Sequence, residues 1–154
     1  MSGTSLDGAD AVVCQFKADR VQFLGHEHLS YNLSLRKALL SLLTSGPDEI
    51  NRCGQTAIQL AHFYAQVVKR LLAKLNLTPQ DIAAIGVHGQ TIRHCPQLGF
   101  TVQLNNPALL AELTNIDVIA DFRSRDMAAG GEGAPLVPAF HACIFSGDSP
   151  RAIV

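Results

Sequence analysis

The sequence predicts an α/β protein with a mixed, five-stranded sheet and flanking helices, antiparallel at its start and parallel later. Three observations predict it. Two β-type runs, 9–16 and 21–31, flank the polar turn Lys17-Ala18-Asp19-Arg20 and read as a hairpin. Residues 48–75 carry apolar positions at three- and four-residue spacing, the pattern of a long helix with one buried face. Two continuous apolar runs, 82–88 and 116–120, suit strands covered on both faces.

The elements follow in order. Ala9-Asp-Ala-Val-Val-Cys-Gln-Phe16 is the first strand, and Val21 to Tyr31 returns beside it. His26 and His28 share one face of that second strand. With no third ligand nearby in sequence, they read as a solvated face rather than a metal site. Ser34 is a plausible N-cap for a short helix over 35–44, ended by Ser45-Gly46-Pro47. In the long helix the expected buried face is Ile58, Leu60, Ala61, Ala65, Val68, Leu71, Leu72 and Leu75, and Gly54 is a candidate break. Asn76-Leu77-Thr78-Pro79 ends it. The strand 82–88 follows, then a shorter one at 100–104. Asn106-Pro107 starts a helix to about Thr114, with proline in the tolerated first turn. After the strand 116–120 come a glycine-rich loop, a short apolar helix around 138–145 and an incipient strand, 151–154.

Composition narrows the function. The 154 residues are 47% hydrophobic and 16% charged, which is globular material with enough apolar surface for one sizeable core. A net charge of −1 gives no support to nucleic-acid or anionic-membrane binding. No apolar run approaches the roughly 20 residues needed to span a bilayer, and the N-terminus has no basic and apolar leader, so the default is a cytoplasmic protein. Cys14, Cys53, Cys95 and Cys143 are far apart with no C-x-x-C and read as buried thiols.

Three polar clusters carry the chemistry. The first is Met1-Ser2-Gly3-Thr4-Ser5-Leu6-Asp7-Gly8-Ala9-Asp10. Its glycines permit close approach of a ligand, its hydroxyls donate, and successive N–H groups in such a turn form an anion-binding concavity. A carboxylate beside a phosphate cradle commonly holds Mg²⁺. The competing reading is a polar tail before the first strand. The second cluster, His88-Gly89-Gln90-Thr91, offers an imidazole, an amide and a hydroxyl, groups that suit sugar hydroxyls; alone it reads equally as a polar turn. The third, Asp121-Phe122-Arg123-Ser124-Arg125-Asp126, interleaves cations and carboxylates, and reads either as a surface ion-pair loop or as an oxyanion grip. The following Gly130-Gly131-Glu132-Gly133-Ala134-Pro135 favours ligand approach. Each cluster follows or abuts a strand end, where crevices form in open α/β sheets. A serine hydrolase built on Ser5, His88 and Asp121 is disfavoured, because there is no Gly-x-Ser-x-Gly elbow.

Taken together, Met1 to Gly8, His88-Gly-Gln-Thr91, Asp121-Phe-Arg123 with Asp126, and Gly130-Gly-Glu-Gly-Ala-Pro-Leu-Val-Pro138 closely resemble the anhydro-N-acetylmuramic acid kinase family, nearly end to end. That family is part of the sugar kinase/heat-shock protein 70/actin superfamily, so the resemblance implies a ribonuclease H-like, actin-like ATPase domain. It also implies ATP and Mg²⁺ as cofactors and an amino sugar as the small-molecule partner, with no nucleic-acid or membrane partner. A homodimer is an option for the full-length protein. The implied reaction opens the 1,6-anhydro ring of anhydro-N-acetylmuramic acid with water and phosphorylates O6, giving N-acetylmuramic acid 6-phosphate in cell-wall recycling. Gly3, Thr4, Ser5, Leu6, Asp7, Gly8, Ala9 and Asp10 would meet ATP phosphates, with Asp7 toward Mg²⁺. His88, Gln90, Thr91, Arg123, Arg125, Asp126, Gly130, Gly131 and Gly133 would line the substrate side.

The resemblance further implies that residues 1–154 are one partial N-terminal domain. Family members are more than twice as long, with a strand before the Met-Ser-Gly-Thr-Ser segment, here truncated, and Met1 would be an internal methionine or a truncation point. The second phosphate hairpin, the catalytic aspartate and the adenosine-binding half would lie beyond Val154, so the chain alone is expected not to turn over. The alternatives are a phosphate- or sugar-binding chain without turnover and the product of a broken reading frame. With neighbours of the first strand unpaired, marginal stability is expected.

Overall fold

A computed structural model describes residues 2–3, 5–17 and 20–145. Thr4, part of the predicted turn and the incipient strand 151–154 lie outside the described residues. The element order is β1 (Gly8–Lys17), β2 (Arg20–Ser30), α1 (Leu33–Ser41), α2 (Glu49–Leu75), β3 (Ile85–Gly86), β4 (Gln90–Cys95), β5 (Phe100–Leu104), α3 (Pro107–Thr114), β6 (Val118–Ile119), α4 (Phe122–Ala128) and α5 (Pro138–Phe145).

The class is mixed α/β, but the strands do not join into the expected five-stranded sheet. Among the described residues they form three pairs: β1–β2 antiparallel, β4–β5 antiparallel and β3–β6 parallel. The parallel pair explains the difference. It matches only Ile85 with Val118 and Gly86 with Ile119, and Ile119 is 56% exposed, so this run is not covered on both faces as its apolarity suggested.

The β1–β2 hairpin has a register shift between Val13 and Cys14, which separates its two ends. At the first end Gly8 lies opposite Ser30, and a side chain there would overlap the Leu29 carbonyl, so glycine serves strand packing at this position. Toward the turn, Phe16 and Phe23 are largely exposed. Helix α1 is N-capped by Asn32 rather than Ser34. The Asn32 side chain accepts from the Leu35 N–H at 2.8 Å, as an N-cap does.

Helix α2 runs unbroken through Gly54 and is the central packing element, touching α1, α3, β1, β2 and β5. Its buried stripe includes Ala57, Leu60, Ala61, Tyr64, Val67, Leu71 and Leu72. Ile58, expected inside, is 47% exposed because it lies one residue off that stripe; Val68 and Leu75 are half-buried. Asn76 closes the helix in the left-handed conformation. Helix α3 begins as its sequence indicates, with the Asn106 side chain accepting from the Leu109 N–H at 3.1 Å and Pro107 in the first turn.

Two elements were absent from the sequence reading. Strand β4 covers residues read as a polar cluster, and helix α4 covers residues read as the start of a loop. The cysteines are unpaired thiols, yet not buried as expected: Cys14, Cys53 and Cys95 are half-buried and Cys143 is exposed. No helix among the described residues is long and apolar enough to cross a membrane.

Candidate functional site

The opening turn is held by Leu6. Its side chain is 1% exposed although its backbone is left-handed, with φ of 52°, a conformation that costs a non-glycine residue about 1–3 kcal/mol unless the surroundings enforce it. They do so here. The Leu6 N–H donates to the Gly3 carbonyl at 3.3 Å, the Leu6 carbonyl accepts from Arg36 Nε at 3.0 Å, and the apolar side chain is buried. This anchoring leaves Gly3, Ser5 and Asp7 exposed on the other side of the turn. Ser5 Oγ donates to Asp7 Oδ1 at 2.6 Å, and that hydrogen bond is the main cause holding the Asp7 carboxyl below its ordinary value. Asp7 is therefore ionised at neutral pH.

The first cluster thus divides by role. Leu6, Gly8 and Ala9 are buried packing positions, whereas Gly3, Ser5 and Asp7 face outward. Asp10 does neither. Its Oδ1 accepts from His26 at 2.8 Å and His28 at 3.1 Å, and the His26 hydrogen bond is the leading cause lowering its pKa. The strand face read as merely solvated therefore holds a His-Asp-His cluster. The hairpin register supplies the partner, since Asp10 lies opposite His28. Among the described residues no group of three histidine, cysteine or acidic side chains is arranged to hold a metal ion.

The second cluster sits against the first. Ser2 Oγ donates to the Gly89 carbonyl at 3.3 Å, and Gln90 Nε2 donates to the Gly3 carbonyl at 3.1 Å. Gly89 makes this approach possible: its φ is 77°, and a Cβ there would overlap the Leu104 carbonyl. Gln90 is 1% exposed and also accepts from the Tyr31 hydroxyl at 3.4 Å, so its amide holds the frame rather than facing solvent. Thr91 accepts from Gln103 Nε2 at 3.3 Å.

His88 is the chemically informative member. Burial, reinforced by the nearby Arg123 charge, lowers its pKa below 6.5, so the ring is neutral at pH 7. Its Nδ1 lies 2.6 Å from the Gly89 carbonyl, which can only accept. Nδ1 therefore carries the proton, and Nε2 is left as an acceptor.

The third cluster closes on a clasp. Asp126 Oδ2 accepts from the Gly133 N–H at 2.8 Å, and Arg123 Nη1 donates to the Gly133 carbonyl at 2.6 Å. One loop residue is gripped through both backbone groups, so Asp126 shapes the loop. The Arg123 Nε–H is buried with no acceptor among the described residues. Gly130, Gly131 and Arg125 are exposed. A shallow groove between α2 and α3, lined by His62, Gln66, Lys69, Arg70 and Leu113, shares no residue with these clusters.

Sequence reasoning missed Tyr31 and Tyr64 beneath the site, and the buried bonds that Ser2 of the first cluster makes, since partners 59 to 87 residues apart leave no local pattern.

A family model described as anhydro-N-acetylmuramic acid kinase matches residues 1–154. The anhydro-N-acetylmuramic acid kinase of Bordetella pertussis (strain Tohama I) is 53% identical over 154 residues, covering 100% of this chain and 41% of that relative. The protein of the same name from Burkholderia pseudomallei (strain 1710b) is 53% identical over 155 residues, 100% of this chain and 40% of the relative. That of Nitrosomonas europaea is 54% identical over 148 residues, 95% of this chain and 41% of the relative. The chain spans about two fifths of the length of the curated relatives it matches.

Proposed function

The chain belongs to the anhydro-N-acetylmuramic acid kinase family, and from that premise we propose that it forms the sugar side and first phosphate hairpin of a kinase. The kinase uses ATP to phosphorylate O6 of anhydro-N-acetylmuramic acid as water opens the 1,6-anhydro ring, in the cytoplasm. Its scaffold is ribonuclease H-like. The catalytic base and the adenosine-binding half are assigned to the part of the relatives' length that this chain does not span.

The observation that carries the reading is the buried Arg123 Nε–H without an acceptor, beside a neutral His88. An unsatisfied buried donor costs about 1–3 kcal/mol, and more when charged. A ligand oxygen relieves that cost. Arg123 then donates to an oxygen of the amino sugar, and His88 Nε2 accepts from one of its hydroxyls. Thr91 lies beside them, while Gln90 and Asp126 hold the surrounding loops. Arg125, Gly130 and Gly131 form the outer rim, and Gly133 is buried behind them between Asp126 and Arg123.

On the phosphate side, Gly3, Thr4 and Ser5 are assigned to the ATP phosphates through backbone N–H groups and the Thr4 hydroxyl, the Ser5 hydroxyl proton being held by Asp7. Mg²⁺ is typically held by one or two carboxylates plus phosphate oxygens and water, so one ionised Asp7 is a sufficient share from this segment. When bound, the ion neutralises phosphate charge during transfer.

The test is a chimera in which residues 1–154 replace the matching segment of the Bordetella pertussis relative, assayed for sugar-dependent ADP release. Turnover is expected. Asp7→Ala should raise the Mg-ATP requirement, and Arg123→Ala the sugar requirement, each at least about tenfold. Unchanged kinetics in both variants would reject the assignment. The second reading, binding without turnover, is favoured for the isolated chain by its two-fifths span. Calorimetric heat with the sugar or Mg-ATP on the isolated chain supports it; silence at millimolar ligand rejects it.

A further inference from the structure

Beneath the site lies a polar network that joins Ser2 of the first cluster and Gln90 of the second to two tyrosines outside all three clusters. Ser2, Tyr31, Tyr64 and Gln90 are all buried, at 6%, 7%, 6% and 1% exposure. Ser2 Oγ lies 2.7 Å from Tyr64 Oη and donates to the Gly89 carbonyl at 3.3 Å. A serine hydroxyl has one proton. With that proton on the Gly89 carbonyl, Tyr64 is the donor to Ser2. Burial pushes both tyrosines above their ordinary pKa, so each keeps its proton at neutral pH. The order of donation is then Tyr64 to Ser2 to Gly89. A second bridge runs beside it, from Tyr31 to Gln90 Oε1 at 3.4 Å and from Gln90 Nε2 to the Gly3 carbonyl at 3.1 Å.

Two consecutive residues of the opening hairpin, Ser2 and Gly3, are thus tied to two consecutive residues of the sugar-side loop, Gly89 and Gln90. The tie is fastened to rigid elements. Tyr64 belongs to α2, Tyr31 packs tilted against Phe63 of the same helix with ring centroids 4.7 Å apart, and the Tyr31 N–H donates to the Asp7 carbonyl at 3.0 Å. Removing one partner of such a buried network leaves the others unsatisfied, so the network holds or fails as a unit.

We infer that Tyr64 and Tyr31 are positioning residues that lock the phosphate hairpin and the sugar-side loop into one cooperative unit. The inference rests on the functional reading above for what the two segments bind, but the coupling is a property of the chain without ligand. Both tyrosines are buried beneath the two segments. Their role is to fix the distance and angle between the two segments, and a small misalignment between reacting groups is costly in rate.

The test is amide hydrogen exchange on the 154-residue chain, using Tyr64→Phe, Ser2→Ala and the double variant. Tyr64→Phe keeps the ring and removes only the donor. It is expected to speed exchange about three- to tenfold in both 2–8 and 88–92, although the hydrogen bond it removes falls on Ser2 of the first segment. Amides of α2 around Leu71 should change less than about twofold. The double variant should be no faster than the faster single variant, as for residues of one network. Acceleration confined to 2–8 overturns the inference, because the loop is then held independently. Uniform acceleration along the whole chain also overturns it, since that reports global destabilisation. Ser2→Ala repeats the test without altering α2, so a folding defect in Tyr64→Phe leaves the result readable. These outcomes are independent of whether the chimera turns over.

Discussion

Replacing Gly89 by alanine tests the closest backbone approach in the candidate site. Gly89 has φ of 77°, and its Cβ would come within 3.0 Å of Asn105 Cβ and 3.3 Å of Gln103 Cβ, with the Leu104 carbonyl closer still. Two costs add. A left-handed alanine costs about 1–2 kcal/mol. The overlap falls on the backbone of β5, which cannot rotate away as a side chain can, and forcing atoms into packed structure costs about 1–3 kcal/mol more. The expected loss is about 2–5 kcal/mol, or roughly 4–20 °C in Tm for a chain of this size. Gly99 is the control. Its φ is 74°, but nothing lies within 4 Å of its Cβ, so Gly99→Ala should lose only the strain, about 1–2 kcal/mol. Urea unfolding followed by circular dichroism gives both values, provided the slope m is unchanged. Equal losses in the two variants would refute the reasoning, because they would mean that β4 does not approach Leu104 as described.

Three further outcomes are expected. Arg93 donates to the Leu42 carbonyl and pairs with Glu49 Oε1 at 2.7 Å across a mostly buried interface; Arg93→Ala should cost about 1.5–3 kcal/mol in urea unfolding, and Arg93→Lys should recover less than half, since lysine lacks the two-pronged fork. The His88 imidazole should titrate below 6.5 by NMR, chiefly because it is buried; below 6.5 the unfolded chain takes up a proton that the folded chain refuses, so stability falls as pH drops from 6.5 toward the depressed value, and a midpoint at or above 6.5 would contradict this. Phe16 and Phe23 are 71% and 62% exposed on the hairpin; replacing both by serine should lower concentration-dependent light scattering with little change in Tm, and unchanged scattering would locate self-association elsewhere.

Much of this protein is legible locally. The hairpin, α2, α3 and α5 follow from alternation, three- and four-residue spacing, Asn106 before Pro107, and an apolar run after Pro138, because these signals act within a few residues. The three polar clusters were also visible as clusters. Helix α4 was obscured by Asp121, which precedes it in a left-handed conformation and makes no side-chain cap. Strand β4 was hidden by its polar residues, Arg93 and His94, whose partners Glu49 and Thr101 lie on other elements.

By itself the sequence determined the element types, the family resemblance and the residues worth examining, since composition and short-range periodicity are properties of neighbours along the chain. Which polar groups stand outward and which hold the frame is set only by folding. Asp7, Asp10, Gln90 and Asp126 are all plausible ligand contacts as letters. Folded, Gln90 bridges Gly3 and Tyr31, Asp10 holds two imidazoles, Asp126 grips Gly133, and Asp7 stands outward, paired with Ser5 of its own turn. The physical reason is that a buried polar group must find a partner, and the chain supplies that partner from as far as 87 residues away.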